Sequence, residues 1–166
     1  MMLKDYVDWK LTHQKKKKSR NLFDKDNLDV SNYNFCNSAK STDSGVSFKT
    51  NSNVQTNNYV ICGLSLGNAV DFRGKTITLS SPDMYGTTAT KLAVRKGISN
   101  VQNGSNWTKS GDVYYSQITV EDKEYTGEIL CILLYAYGQQ PDTVITYNNI
   151  MVNEGSEILP YEPYRK

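Results

Sequence analysis

The sequence has few of the side chains on which most catalytic and metal sites depend. Among its 166 residues there are one histidine, His13, and three cysteines. His13 lies in a polar stretch with no cysteine nearby, so the sequence identifies neither a Cys–His pair nor a serine triad. An odd number of cysteines without metal-ligand spacing also argues against a disulfide framework and against a zinc site. We expect Cys62 and Cys131, which lie in apolar runs, to be buried as small hydrophobic residues.

Long hydrophobic runs are absent as well. No apolar stretch approaches the roughly 20 residues that a membrane-spanning helix needs. The N-terminal residues lack the apolar region of a secretory signal. We therefore expect a protein that is made in the cytoplasm and has no membrane partner.

Neither sign of charge is in large excess, since the formal net charge is only +2. The overall charge therefore gives no reason to expect nucleic acid as a partner. The basic residues are concentrated in Lys15–Lys18, without interleaved aromatic residues. We interpret this run as a solvated connector that like-charge repulsion keeps extended. The alternative is an electrostatic contact with an acidic partner or with an anionic cell-wall polymer.

The carboxylates do not single out a catalytic pair. Glycosidases place two carboxylates opposite each other across a cleft. Here Asp83, Asp112, Glu121 and Glu128 are scattered through turns and strand ends. We therefore expect a non-catalytic protein.

The N-terminal residues show the only helical pattern in the chain. Leu3, Tyr6, Val7 and Leu11 recur at helical spacing, without an intervening glycine or proline. The spacing predicts a short amphipathic helix over about residues 2–16, which alone would be marginal. It needs a partner surface, and we favour an oligomerising bundle of copies, although the apolar set is too short to establish a heptad. The alternatives are docking on its own domain or on another protein.

The rest of the chain shows short strand-like runs separated by turn clusters. About eight short strands without a second helical pattern predict an all-β fold, a sandwich of antiparallel strands. Residues 25–44, rich in Asn, Asp and Ser, are expected to form a long ordered loop pinned by Leu28, Tyr33 and Phe35. The strand-like runs are Val46–Lys49, Tyr59–Leu66, Gly74–Ser80, Leu92–Val94, Asp112–Val120, Glu128–Tyr137, which is apolar enough to be central, and Val144–Val152.

The chain closes with a strand followed by a proline-containing tail. Gly155 is free to adopt the positive φ of a turn after that strand. Pro160 and Pro163 lack the N–H that a ladder needs, so the tail cannot continue the sheet. We expect it to lie extended over the domain, with Leu159, Tyr161 and Tyr164 packing down.

This closing stretch, I-M-V-N-E-G-S-E-I-L-P-Y-E-P-Y, resembles the end of jelly-roll domains in tail and baseplate proteins of bacteriophages that infect Gram-positive bacteria. Those domains are similar to carbohydrate-binding modules. Asn21-Leu22-Phe23-Asp24 is similar to the family's entry segment. Gly74–Ser80 resembles its G-K-x-Y-T-L-S strand, with Ile77 where an aromatic is frequent. The resemblance spans about Asn21 to Tyr164 and implies a jelly-roll domain, to which we assign residues 21–166. The helix and basic linker that we expect over residues 1–20 lie outside the resemblance.

The resemblance also implies a sugar-binding surface. Family modules stack the apolar C–H faces of sugar rings on Trp or Tyr, while amides and carboxylates bond the hydroxyls. The candidates for such a surface are Trp107, Tyr85, Tyr114, Asn106 and Asp112.

Several modules of this family hold a structural calcium between an early loop and the closing strand. Calcium prefers six to eight hard oxygen ligands, usually including carboxylates. Asp24, Asp26 and Asn148 are the calcium candidates, although the closing strand carries Asn148-Asn149 where an acidic pair would be stronger. Apart from calcium, we expect no cofactor.

The function that the resemblance implies is that of a virion component in the tail, baseplate or a fibre. We expect a homo-oligomer, with a trimer as the first guess, in contact with other virion proteins and with host cell-wall glycan as the candidate ligand. One alternative is a purely structural decoration or joining protein without sugar binding. Another is an accessory carbohydrate-binding module of a glycan-degrading enzyme.

Overall fold

The computed structural model describes residues 20–165, and this part of the chain is built from β-strands. It contains twelve strands and one short 3₁₀ helix. The strands are β1 (Val30–Asn34), β2 (Cys36–Ser41), β3 (Val46–Thr50), β4 (Tyr59–Asn68), β5 (Thr76–Ser81), β6 (Lys91–Lys96), β7 (Ser99–Asn103), β8 (Thr108–Ser110), β9 (Val113–Thr119), β10 (Ile129–Tyr137), β11 (Val144–Tyr147) and β12 (Met151–Glu154), and the 3₁₀ helix is Ala69–Phe72.

Three predictions fall outside the described residues. They are the amphipathic helix over residues 2–16, the connector at Lys15–Lys18 and the position of His13. The oligomerising role of Leu3, Tyr6, Val7 and Leu11 therefore stays a prediction.

The strands form three sheets, and every pair of neighbouring strands is antiparallel. The largest sheet has the order β1-β4-β10-β6-β7. The other two have the orders β11-β3-β2 and β12-β5-β9-β8. Because β11 and β12 follow each other in the chain, one closing stretch contributes to both smaller sheets. As predicted, β10 is the central strand of the largest sheet.

Alternation along β10 defines the two faces of the five-stranded sheet. Leu130, Ile132 and Leu134 belong to the main hydrophobic core. Cys131 and Leu133 belong to a second, smaller cluster. Since successive side chains in a strand point to opposite faces, the first three mark the inner face and the other two mark the outer face.

The main core draws on all three sheets. Phe48 of β3, Ile77 of β5, Ile145 of β11 and Val152 of β12 are buried in the same cluster as the inner face of β10. The two smaller sheets therefore pack on the inner face of the largest one. This arrangement is consistent with a β-sandwich, and the prediction of an all-β fold is confirmed.

The first and last residues of the domain are tied together by Asn21. Its buried side-chain amide donates to the carbonyl oxygens of Ile150 and Glu162, both at 2.9 Å. Its Oδ1 accepts from the backbone N–H groups of Val152 at 3.0 Å and Phe23 at 3.1 Å. The tail therefore lies against the domain entry. The tail residues expected to pack down, Leu159, Tyr161 and Tyr164, are half-buried.

The closing strand is interrupted where one continuous strand was predicted. The residues 148–150 separate β11 from β12, and Asn149 has a left-handed φ of 47°. Asparagine tolerates this conformation better than most residues. The turn after β12 confirms the expectation for Gly155, whose φ is 101°.

The prediction of a loop over residues 25–44 is wrong, since this stretch contains β1 and β2. β1 pairs with β4, and β2 pairs with β3. These ladders satisfy the backbone groups that Asn and Ser would otherwise bond locally, so tertiary pairing overrides intrinsic preference. The expected anchors Leu28 and Phe35 do pack on the core, whereas Tyr33 is 39% exposed. The edge strands β7 and β8 were also unforeseen, because both are polar and largely exposed.

The cysteines confirm the interpretation from their sequence context. Cys36, Cys62 and Cys131 are all buried and free. Burial raises the pKa of the Cys36 thiol to about 11 and raises that of Cys62 further. Thiols of this kind are unreactive at neutral pH, because the thiolate is the nucleophile.

Candidate functional site

Trp107, the first residue of the expected sugar-binding set, is buried. It is 2% exposed, and its indole N–H donates to the carbonyl oxygen of Asp83 at 3.0 Å. Its backbone N–H donates to the carbonyl oxygen of Thr88 at 2.9 Å. The indole face is therefore enclosed by protein, contrary to the expectation that a polar loop presents it to a ligand.

Gly104 explains why a polar loop carries a tryptophan into the interior. The loop between β7 and β8 crosses from the five-stranded to the four-stranded sheet. A Cβ at Gly104 would lie 2.7 Å from the carbonyl oxygen of Leu92 and 2.8 Å from that of Gln117. Only glycine fits at this distance, and the close approach lets the loop enter the gap between the two sheets.

Tyr114 packs on Trp107. The two rings are stacked, with centroids 6.3 Å apart and an interplanar angle of 14°. The Lys109 ammonium lies 6.0 Å from the Tyr114 ring centroid. The structure thus brings Trp107 and Tyr114 together, but as a packing pair.

The remaining members of the expected set do not complete an open site. The Tyr85 hydroxyl donates to the carbonyl oxygen of Thr146 and accepts from its N–H at 3.2 Å. Its ring lies edge-on to Tyr147, with centroids 5.1 Å apart, and burial raises its pKa. Asn106 is exposed and accepts from the Lys91 ammonium at 3.1 Å, while Asp112 is exposed in the turn before β9. The five residues therefore do not form one aromatic platform.

A different group of aromatic residues is exposed on the outer face of the five-stranded sheet. We call Tyr59, Tyr135 and Tyr137 the tyrosine cluster. Tyr59 is 49% exposed, Tyr137 is 37% exposed and Tyr135 is half-buried. The ring of Tyr59 lies 4.8 Å from that of Tyr137 and 6.3 Å from that of Tyr135, between centroids. These distances are typical of interacting aromatic rings.

The position of the tyrosine cluster follows from strand register. Tyr59 begins β4 and Tyr137 ends β10, and the antiparallel ladder places them opposite each other. Tyr135 and Tyr137 could be assigned to one face from sequence alone, because they are two residues apart. Tyr59 could not be added without knowing that β4 pairs with β10.

The tyrosine cluster has the chemistry of a small sugar-binding surface. Exposed tyrosine rings can stack on the C–H faces of a sugar, and nearby amides can bond its hydroxyls. The side-chain amide of Asn34 donates to the carbonyl oxygen of Tyr59 at 3.2 Å, and that of Gln139 donates to the carbonyl oxygen of Tyr137 at 2.9 Å. Two amide side chains therefore border the cluster, that of Asn34 exposed and that of Gln139 half-buried.

An acidic cavity lies between the domain entry and the tail. Its volume is about 280 Å³, and a neighbouring cavity of about 260 Å³ shares several of its walls. Asp26, on the second cavity, pairs with the Lys25 ammonium at 2.6 Å, which lowers the pKa of the carboxyl. The residues common to both cavities are Asp24, Asn27 and Tyr164.

The calcium candidates are divided between two places. Asp24 and Asp26 line the second cavity. Asn148 lines neither cavity, and its backbone and side-chain N–H groups donate to Asp83 Oδ2 at 2.6 and 3.1 Å. Within residues 20–165 no three His, Cys, Asp or Glu side chains converge where they could hold a metal ion. Calcium binding stays a prediction.

Comparisons of the chain with protein-family models, with curated protein sequences and with solved structures find no match. In the described part of the chain, no helix has the length and apolar character required to cross a membrane. The assignment of a function therefore depends on the geometry above and on the resemblance of the entry and closing segments.

Proposed function

We propose that the chain is a non-catalytic, carbohydrate-module-like jelly roll of a bacteriophage virion. It would belong to the tail, the baseplate or a fibre, and would hold glycan of the host surface through the tyrosine cluster. The observation that carries the proposal is the pairing pattern of the strands, joined to an exposed aromatic group on one sheet.

The pairing pattern supports a jelly roll because it is nested. β3 pairs with β11, β4 with β10, β5 with β9 and β6 with β7. Among the eight strands of these four pairs, the first in sequence therefore pairs with the last, the second pairs with the next-to-last, and the pattern continues inward to β6 and β7. A single long hairpin folded over into two layers would give this order, and a jelly roll with two Greek keys is expected to have it.

Contacts between the entry and the tail support the family resemblance. Two of the segments that carry it, Asn21–Asp24 and Ile150–Tyr164, are far apart in sequence. Asn21 bonds directly to Ile150, Val152 and Glu162. The two segments therefore form one structural unit, and these hydrogen bonds explain why an entry of this kind occurs together with a tail of this kind.

The tyrosine cluster supports a binding role of low intrinsic affinity. A pair of stacked aromatic rings contributes about 0.5–1.5 kcal/mol beyond the area that it buries, and we take the same order of magnitude for a sugar face on a tyrosine ring. Two exposed rings therefore give weak binding to a single site. An oligomeric virion part would gain from multivalent display, which raises overall affinity without new contacts.

The experiment is a glycan array together with a pull-down on host cell walls, using the complete chain. We expect binding that Tyr59→Ala and Tyr137→Ala each reduce by about tenfold or more, which corresponds to roughly 1.4 kcal/mol. Tyr59→Phe and Tyr137→Phe are the matched controls, because they keep the stacking ring and lose only the hydroxyl. Both should retain most of the binding.

Two outcomes would overturn this function. Absence of binding at millimolar sugar, with stable incorporation into particles, would favour a structural decoration or joining protein. Turnover of any glycan would contradict the non-catalytic assignment and would favour an enzyme.

A further inference from the structure

A second apolar cluster lies on the outer face of the five-stranded sheet. We call it the outer cluster; its buried members are Ala93 of β6 and Cys131 and Leu133 of β10, with Ile129 and Tyr135 packed against them. The three buried members are at most 1% exposed. They are thus as deeply buried as the core, although they face away from it.

The two smaller sheets do not account for this burial. Within residues 20–165, every residue of the outer cluster belongs to β6 or β10, whereas the residues of the smaller sheets belong to the core on the inner face. A neighbour on the same sheet, Ser31, accepts a hydrogen bond from the Cys131 thiol at 3.6 Å. An apolar sheet face of this kind is normally covered by another element of secondary structure.

Arg95 provides an independent observation on the same face. It follows Ala93 by two residues on β6, so both side chains point outward. Arg95 is 6% exposed, and its Nη2 donates to the carbonyl oxygen of Ile98. Its Nε and Nη1 are buried without a hydrogen-bond partner. Buried guanidinium N–H groups are costly when unpaired, so a segment that brought acceptor atoms to this face would remove that cost.

The effect of the Arg95 charge on neighbouring pKa values is consistent with its position beside the outer cluster. Burial raises the pKa of both Cys131 and Tyr135, and the positive charge of Arg95 offsets part of each rise. The guanidinium therefore lies within electrostatic reach of residues near both ends of the cluster.

We propose that the N-terminal segment of the same chain, residues 2–16, docks on the outer cluster as an amphipathic helix. Leu3, Val7 and Leu11 are four residues apart and would form one apolar stripe. Such a short helix needs a surface on which to bury this stripe. The outer cluster is buried although the two smaller sheets lie on the opposite face, and a docked segment would account for this burial. Backbone carbonyls of the docked segment would also supply acceptors for Arg95.

The proposed helix and the outer cluster have similar lengths. A helix of 15 residues is about 22 Å long and about 10 Å wide. The six residue steps from Ile129 to Tyr135 span about 20 Å, and adjacent strands lie about 5 Å apart. One helix along β10 would therefore cover Ile129 to Tyr135 and the neighbouring part of β6. Tyr59 and Tyr137 would remain beyond its end.

Covalent connection favours the chain's own segment over a separate partner. A tether that spans the gap between a segment and its binding surface holds the segment there at an effective concentration on the order of millimolar. A stripe that is buried on the outer cluster of its own chain is no longer available to pack against other copies in a bundle. The proposal is therefore an alternative to the oligomerising role predicted from the sequence, and it does not depend on glycan binding.

The experiment measures the rate of alkylation of each cysteine in the complete chain by peptide mass spectrometry. Cys131 reports on the outer face, and Cys62, buried in the main core, is an internal control. In the variant Val7→Asp/Leu11→Asp we expect Cys131 to react at least about tenfold faster, because its cover is lost, while the rate at Cys62 stays the same. The matched control Asp5→Asn/Asp8→Asn, which leaves the apolar stripe intact, should change neither rate.

An unchanged Cys131 rate in the Val7→Asp/Leu11→Asp variant would overturn the proposal. So would a rate in the unsubstituted chain that rises on dilution, because a second copy would then be the cover. If Cys62 accelerates together with Cys131, the variant has unfolded, and cross-linking decides the question. Leu3→Cys, Val7→Cys and Leu11→Cys are each oxidised with diamide. At least one should form a disulfide with Cys131 within one chain, and failure of all three would refute docking.

Discussion

Asn21→Ala removes the side chain that connects the first residues of the domain to its last strand and tail. Asn21 is 2% exposed and makes at least four hydrogen bonds through its side chain. Alanine would leave the N–H of Val152 and the carbonyl oxygen of Ile150 without these partners. Neither group can regain water without opening the contact between entry and tail.

The magnitude follows from the number of bonds. A typical intramolecular hydrogen bond contributes about 1 kcal/mol net, and a buried group left unsatisfied costs about 1–3 kcal/mol. Four bonds therefore predict a loss of about 3–4 kcal/mol in the free energy of unfolding. For a domain of this size, 1 kcal/mol corresponds to about 2–4 °C in Tm, so Tm should fall by roughly 6–16 °C.

The control is Asn153→Ala, a substitution of the same residue type at a similarly buried position on β12. The Asn153 amide donates to the carbonyl oxygens of Glu154 and Glu157, at 3.2 and 3.0 Å, but its Oδ1 is buried without a partner. Its removal also eliminates one unsatisfied oxygen, so we expect a loss of about 1–2 kcal/mol. Urea unfolding followed by circular dichroism measures both variants. A loss for Asn21→Ala below about 1.5 kcal/mol, or no larger than that of Asn153→Ala, would refute the reasoning.

Two further predictions concern the interior. Gly104→Ala should cost about 2–3 kcal/mol because its Cβ would overlap two backbone oxygens, whereas Gly111→Ala, in open space at a φ of 57°, should cost only about 1 kcal/mol in thermal unfolding. Burial raises the pKa of Tyr147, whose hydroxyl donates to the carbonyl oxygen of Tyr135 at 2.7 Å. The folded state then keeps a proton that the unfolded state releases near pH 10, so stability present below about pH 10 should decline above it. Tyr147→Phe should flatten that decline in urea titrations; an equally steep decline would contradict the assignment.

The architecture could be predicted from sequence where the hydrophobic pattern is local. The run Glu128–Tyr137 is apolar at nearly every position, which requires burial on both faces, and β10 is indeed central. The tail was predictable because proline removes ladder donors and Gly155 permits a positive φ. In both cases the decisive property belongs to the residues themselves.

Prediction failed where a distant partner decides the structure. β1 and β2 are polar sequences that become strands because β4 and β3 offer them open edges. Trp107 is buried because the loop at Gly104 passes very close to the backbone carbonyls of Leu92 and Gln117, which belong to other strands. Tyr59 joins the tyrosine cluster through the register of β4 on β10. None of these relations can be inferred from the composition of the segment concerned.

The outer face of β10 contributes residues to both the tyrosine cluster and the outer cluster. Its outward residues are Ile129, Cys131, Leu133, Tyr135 and Tyr137, none of which is charged. A strand with one face in water would carry polar side chains at these positions. Tyr135 packs on the outer cluster and also contacts Tyr59, so the surface that a docked helix would cover adjoins the surface that a sugar would use. The alternation along one central strand therefore places both candidate contacts on the face opposite the core. A helix bound to the outer cluster would fix the ring of Tyr135 and thereby shape one wall of the tyrosine cluster.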